Sequence, residues 1–127
     1  MTRYALIVDD DENNLEVLAQ LLEVQDIKSV LVKDPSQTLE ALNHLPRLDI
    51  VFLDLEMSKI DGYSLLTALR ERIGNHAPII CCSVHLLEMD HARRAGFDGF
   101  IGKPLDLERF PEQIERIFSG RSVWELP

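Results

Sequence analysis

The sequence predicts an alternating α/β fold with a parallel sheet covered on both faces, and three features carry that prediction. Five apolar runs, at residues 4–8, 29–32, 49–53, 78–82 and 99–101, are rich in Ile, Val, Leu or Phe and bounded by charges or breakers, as buried strands are. Between the runs, the apolar spacing changes to the i, i+3, i+4, i+7 period of a helix. Strand and helix then alternate five times, with no internal repeat, linker or low-complexity stretch. A chain of 127 residues suits one domain, large enough to bury roughly two thirds of the surface its unfolded form exposes.

Each element has its own signal. The first strand ends in Asp9, Asp10, Asp11 and Glu12, and the helix after it carries Leu15, Leu18, Ala19 and Leu22 on one face. The second strand leads into Asp34 and Pro35, a capping acid followed by proline at the first helical position, where a missing N–H costs nothing; this helix ends before Pro46. The third strand is followed by Asp54, and Leu65, Leu66, Leu69 and Ile73 form the next helical stripe, stopped by Gly74. The fourth helix spans 85–95 and stops at Gly96. The fifth begins near Asp106, with Leu107, Phe110, Ile114, Ile117 and Phe118 facing inward; Pro111 fits it only in the first turn. The domain is expected to occupy residues 1–120, with 121–127 as an ordered C-terminal tail or a linker stub.

Composition removes several function classes. A formal charge of −9, from 22 acids against 13 bases, is the opposite of the basic stripe that phosphate-backbone contacts require, so direct nucleic-acid binding is not expected. No apolar run approaches the roughly 18 residues of a membrane span, and the first is too short for a signal-peptide core, so a cytoplasmic protein is expected. Cys81 and Cys82 are adjacent in a strand, point to opposite faces and match no C-x-x-C spacing, which makes them core residues. His44, His76 and His91 match no ligand spacing. Trp124 either packs on its own domain or docks on a partner.

The four acids in a row pose a physical problem. Two carboxylates about 4 Å apart repel by about 4 kcal/mol at an effective dielectric of about 20, a large share of a small domain's stability. A helix cap explains one acid of the run, not its convergence with others. An EF-hand is excluded, because counting from Asp9 puts Asn14 where glycine belongs and Gln20 where the bidentate glutamate belongs. In open parallel sheets ligands bind beyond the carboxyl ends of the strands. Those ends carry Asp9 and Asp10, Asp54, Ser83, and Lys103 with Pro104. Three carboxylates make a hard oxygen pocket suited to Mg²⁺, while a lysine and a hydroxyl suit a phosphoryl group. With no His, Cys or Ser/His/Asp arrangement competing as nucleophile, a carboxylate is left to form an acyl phosphate.

At these positions the sequence resembles the receiver domains of two-component response regulators. The matching stretches are "LIVDDDENN", "DIVFLDLEMSKIDGYSLL", "PIICCSV" and "DGFIGKPLD", in the family's order and separations, and the resemblance covers roughly residues 3–118. It implies a doubly wound (βα)5 flavodoxin-like fold with a five-stranded parallel sheet in the order 2-1-3-4-5. It also implies Asp54 as phosphoacceptor, Mg²⁺ held by Asp9, Asp10, Asp54 and the backbone carbonyl of Glu56, and Lys103 on the phosphoryl oxygens. Ser83 and Phe100 take the switch positions, and Glu56, Val84 and His85 those that tune access and hydrolysis. The implied protein is similar to stand-alone chemotaxis regulators and takes its phosphoryl group from a histidine kinase or histidine phosphotransfer protein. It is not a conventional enzyme, yet catalyses its own phosphorylation and dephosphorylation. Output passes to a protein partner through the fourth helix, fifth strand and fifth helix, with a phosphorylation-dependent dimer also expected.

Some positions depart from the family pattern. Ser58 stands where proline is common after the acceptor, implying a looser loop; Val84 is bulkier than the usual alanine or glycine; Phe100 replaces a frequent tyrosine. The alternatives are a phosphorelay intermediate, a Mg²⁺-dependent aspartyl-phosphate phosphohydrolase and a degenerate receiver serving as a fixed interaction module. The hydrolase is disfavoured by Glu56, which stands where such enzymes want a second aspartate.

Overall fold

A computed structural model describes residues 2–127. The chain runs β1 (Arg3–Val8), α1 (Glu12–Glu23), β2 (Ile27–Val32), α2 (Thr38–Ala41), β3 (Ile50–Leu53), α3 (Gly62–Ile73), β4 (Ile79–Ser83), α4 (Met89–Ala95), β5 (Gly99–Gly102), α5 (Phe110–Phe118) and β6 (Trp124–Glu125). All neighbouring strands pair in parallel, in the order β2-β1-β3-β4-β5-β6. The first five reproduce the expected order, and the tail adds a sixth short strand outside β5.

Side-chain alternation along the strands builds two cores. Leu6, Val8, Val51, Leu53, Ile79, Cys81 and Phe100 face α2, α3 and α4, where they meet Ala41, Leu65, Leu66, Leu69 and Ala92. Ala5, Ile7, Ile50, Phe52, Ile80 and Ile101 face α1 and α5, meeting Leu15, Leu18, Leu22, Phe110, Ile114 and Ile117. Both cysteines are buried, as expected of core residues. Burial pushes the Cys82 thiol up to about 12, so neither its charge state nor its exposure suits redox chemistry.

The helix signals hold with three differences, the simplest being that the fourth helix, expected over 85–95, begins at Met89 behind a 3-10 turn at Leu86–Glu88. Asp11, Asp34 and Asp61 accept from the backbone N–H groups of Asn14, Ser36 and Tyr63, and Gly74 ends α3 with φ 57°. The second helix is only one α-turn between 3-10 turns at Pro35–Gln37 and Leu42–His44. The Thr38 hydroxyl donates to the Pro35 carbonyl at 2.7 Å, and the flanking turns close with tighter i→i+3 bonds. At the other end, Asp106 caps the turn before α5 through the N–H groups of Glu108 and Arg109, so the helix starts at Phe110 with Pro111 in its first turn. Leu107 therefore lies outside the helical period and is 64% exposed rather than inward. Among the described residues no helix is long and apolar enough to cross a membrane.

Gly62 opens α3 against the segment that leaves β3. A Cβ there would lie 2.7 Å from both the Asp54 carbonyl oxygen and the Leu55 Cα, backbone that cannot swing aside. Gly62→Ala is expected to lower stability by about 1–3 kcal/mol in urea unfolding. An unchanged midpoint would show that this approach is not tight.

Candidate functional site

Register, more than loop shape, assembles the site. Val8 pairs with Leu53, so the next residues, Asp9 and Asp54, leave the sheet side by side; the Asp54 N–H donates to the Val8 carbonyl at 3.1 Å. Ser83 pairs with Gly102, and the Lys103 N–H donates to the Ser83 carbonyl at 2.8 Å, which sets the lysine beside the acids.

Lys103 Nζ lies 2.8 Å from Asp9 Oδ2 and 3.9 Å from Asp54 Oδ2, with side chains only 12%, 6% and 13% exposed. Asp9, Asp10 and Asp54 each offer a carboxylate oxygen within 4.8 Å of the others. Backbone donors hold these groups: Asp11 N–H on Asp9 Oδ1 at 2.9 Å, Ser58 N–H on Asp10 Oδ2 at 2.8 Å, and Glu56 N–H on Asp54 Oδ1 at 3.4 Å. Burial pushes the Asp54 carboxyl up to about 6; Lys103 opposes that shift and Asp9 adds to it. For Lys103, burial works against the charge, but Cys82, Asp9 and Asp54 more than offset it, and its pKa lies above the ordinary value. The acids are hard oxygen donors on a partly open face, which fits Mg²⁺ with water and phosphoryl oxygens completing its shell.

The remaining sequence-nominated residues surround this cluster. Ser83 is fully buried at the end of β4, its Oγ accepting from the His85 N–H at 2.9 Å. The Glu56 side chain pairs with His85, its Oε2 lying 2.8 Å from His85 Nε2, which joins the β3–α3 and β4–α4 loops. Val84 is exposed and, with Val17, Leu105 and Leu107, forms an apolar shoulder of a cavity of about 360 Å³ that also contains Asp9, Asp54 and Lys103. Phe100 does not reach the cluster. It is fully buried in the core that faces α2, α3 and α4, with Trp124 of β6 beside it in the sheet, already inward in this conformation. Ser58 was legible only as a missing proline. Its contribution is a backbone N–H on Asp10, which proline lacks.

The response regulator receiver domain family matches residues 5–115 of the chain. The chain belongs to this family. Polar-differentiation response regulator DivK of Brucella ovis is 25% identical over 119 residues, covering 91% of this chain and 95% of that protein. Histidine kinase 3 of Arabidopsis thaliana is also 25% identical, over 146 residues, but the chain spans only 14% of its length while 97% of the chain is covered. Chemotaxis protein CheY4 of Vibrio cholerae shares the fold, with a TM-score of 0.81 at 18% identity, covering 92% of this chain and 99% of that one. NtrX from Brucella abortus gives a TM-score of 0.83 at 26% identity, over 94% of this chain and 28% of that one.

As a receiver domain, the chain is a phosphorylation-activated signalling switch of a two-component system, and its family exchanges phosphoryl groups with histidine kinases or phosphotransfer proteins. The phosphohydrolase alternative is not favoured by these relatives.

The raised Asp54 carboxyl has a stability consequence. Its folded pKa of about 6 lies above the ordinary 3.8, so its contribution to stability is full below about pH 4 and lost as pH rises through about 6. Without divalent cations, Asp54→Asn is expected to gain about 1–2 kcal/mol at pH 7, allowing for partial solvent screening, and nothing near pH 4. Thermal unfolding at both pH values checks this; an equal difference at both would assign the effect to packing.

Proposed function

We propose that Asp54 accepts the phosphoryl group and that Asp9, Asp10 and Lys103 are the groups that let it do so. The approach of Lys103 to both Asp9 and Asp54 supports this reading, because it places one buried cation between an acid cluster and the nucleophile. In the transfer, an Asp54 carboxylate oxygen attacks phosphorus in line with the phosphohistidine P–N bond. As the P–O bond forms, the P–N electron pair stays on the imidazole nitrogen, which takes a proton from solvent. Lys103 faces the phosphoryl oxygens as a compact positive charge, and the Ser83 hydroxyl donates its hydrogen to one of them. Asp9, Asp10, Asp54 and the Glu56 carbonyl would hold Mg²⁺, which when bound neutralises charge on the acids and on the phosphoryl oxygens. Positioning and charge neutralisation carry most of the catalysis. Dephosphorylation reverses the geometry, with water attacking phosphorus and the Asp54 oxygen leaving. The Glu56–His85 pair, which joins the loops that follow Asp54 and Ser83, would limit that approach.

The apolar shoulder of Val17, Val84, Leu105 and Leu107 beside Asp54 gives the phosphodonor a surface to rest on. Output goes to a protein partner through the α4–β5–α5 face or, in a relay, onward as the phosphoryl group itself. A phosphorylation-dependent dimer on that face is compatible with either, and the acidic balance of the chain keeps nucleic acid out of the list of partners.

Incubation with Mg²⁺ and acetyl phosphate, followed by whole-protein mass measurement, is expected to add one phosphoryl group to the wild type and none to Asp54→Asn. Lys103→Ala is expected to slow uptake by about 100-fold or more. Uptake by the Asp54→Asn variant would overturn the assignment. For the Glu56–His85 pair, His85→Ala is expected to shorten the phosphoryl lifetime by up to about tenfold, equivalent to about 1.4 kcal/mol of barrier. Unchanged decay would remove the pair from the account.

A further inference from the structure

The face through which a receiver would signal is closed in this chain by the chain itself. Residues 123–127 run along the whole outer edge of β5. The Phe100 N–H donates to the Val123 carbonyl at 2.8 Å, Trp124 pairs with Phe100 and Glu125 with Ile101. Both glycines of β5 admit the segment closely. A Cβ on Gly99 would lie 2.8 Å from the Val123 carbonyl oxygen, and one on Gly102 2.6 Å from Pro127. Helices on both sides grip it. The Arg93 guanidinium of α4 sits 5.0 Å above the Trp124 ring, and Glu125 receives Arg109 at 2.8 Å and Gln113 at 2.9 Å, with Arg116 as a third partner.

A two-residue strand is a weak sheet element, and these side-chain contacts hold it where an exposed strand edge would otherwise invite strand addition. The same edge leads to the chemistry, because Lys103 follows Gly102 directly and Gly102 pairs with Ser83. Phe100 cannot swing inward as a simple on-signal, being fully buried already in the core that faces α3 and α4. A change at Ser83 and Lys103 therefore reaches the surface through β5 and what lies against it.

We propose that residues 123–127 are a displaceable cover on the α4–β5–α5 face, loosened by phosphorylation, and that the output partner takes its place with an extended segment bearing an aromatic residue followed by an acid. The occupant's chemistry is that of the slot: Arg93 over an aromatic ring, Arg109 and Arg116 around a carboxylate, and the free N–H and C=O groups of β5 for its backbone. This rests on the reading of Asp54 as phosphoacceptor.

Two measurements test it. In the full-length chain with Mg²⁺ and acetyl phosphate, phosphoryl occupancy is read by mass, exchange of the Phe100 amide by hydrogen–deuterium exchange, and exposure of Trp124, the chain's single tryptophan, by acrylamide quenching. Phosphorylation is expected to speed Phe100 exchange several-fold and to increase quenching. Phosphoryl uptake with both signals unchanged would overturn the cover alone, whereas no uptake would overturn the acceptor reading and the coupling with it. Second, a peptide of residues 121–127 is titrated, by its own tryptophan fluorescence anisotropy, into a folded Trp124→Ala, Glu125→Arg double variant and into the Trp124→Ala single variant. The double variant puts a third arginine beside Arg109 and Arg116 and is expected to bind at least tenfold more tightly. Equal affinity, or no binding to either, would overturn the slot.

Discussion

Three carboxylates within 4.8 Å of one another are the constraint around which the molecule is organised, and Lys103 is the group that makes them tolerable. Repulsion of this kind costs a small domain a considerable part of its stability, and at Asp54 it adds, through Asp9, to the burial that raises its carboxyl. The lysine contacts Asp9 closely and Asp54 at longer range, so the buried charge is only partly compensated. That imbalance leaves the cluster able to take a cation, and on the proposed reading a phosphoryl group, rather than standing as a finished ion pair. A fully satisfied network would be more stable and chemically silent.

The sheet turns this local imbalance into a property of the whole domain. Asp9 and Asp54 are fixed by the β1–β3 register, Ser83 and Lys103 by the β4–β5 register, so no long loop has to place a functional atom. Backbone donors from Asp11, Glu56 and Ser58 then aim the carboxylates. The Ser58 contact ties the acid after β1 to the loop after β3 through a hydrogen bond that a proline could not make. Beyond β5, the chain's last residues add a layer whose grip by Arg93, Arg109, Gln113 and Arg116 links the site's edge strand to two helices.

Much of this is legible in the sequence, for identifiable reasons. Buried parallel strands are continuous apolar runs, so the five strands and the residues after them can be read directly, and with them Asp9, Asp10, Asp54, Ser83 and Lys103. The helix cap at Asp34 is equally local, whereas those at Asp11 and Asp61 emerge only from the structure. What escapes is decided by tertiary contact. Leu107 fits a helical stripe, but Asp106 caps the turn ahead of α5 and leaves it outside. Trp124 and Glu125 form no recognisable strand by pattern, because two residues carry no period; their place depends on arginines 9 to 31 positions away in the chain. The Ser58 N–H on Asp10 spans 48 positions and involves a backbone atom, which composition does not reveal.

The central claim is that the acid cluster is incomplete without a divalent cation. The most direct measurement is a Mg²⁺ titration of the unphosphorylated chain followed by calorimetry and thermal unfolding, in the wild type and in Asp10→Asn. The account predicts one ion per wild-type chain, an unfolding temperature that rises with the logarithm of Mg²⁺ concentration above the dissociation constant, and loss of both in the variant. A wild-type chain that takes up no Mg²⁺ and is not stabilised by it would contradict the account.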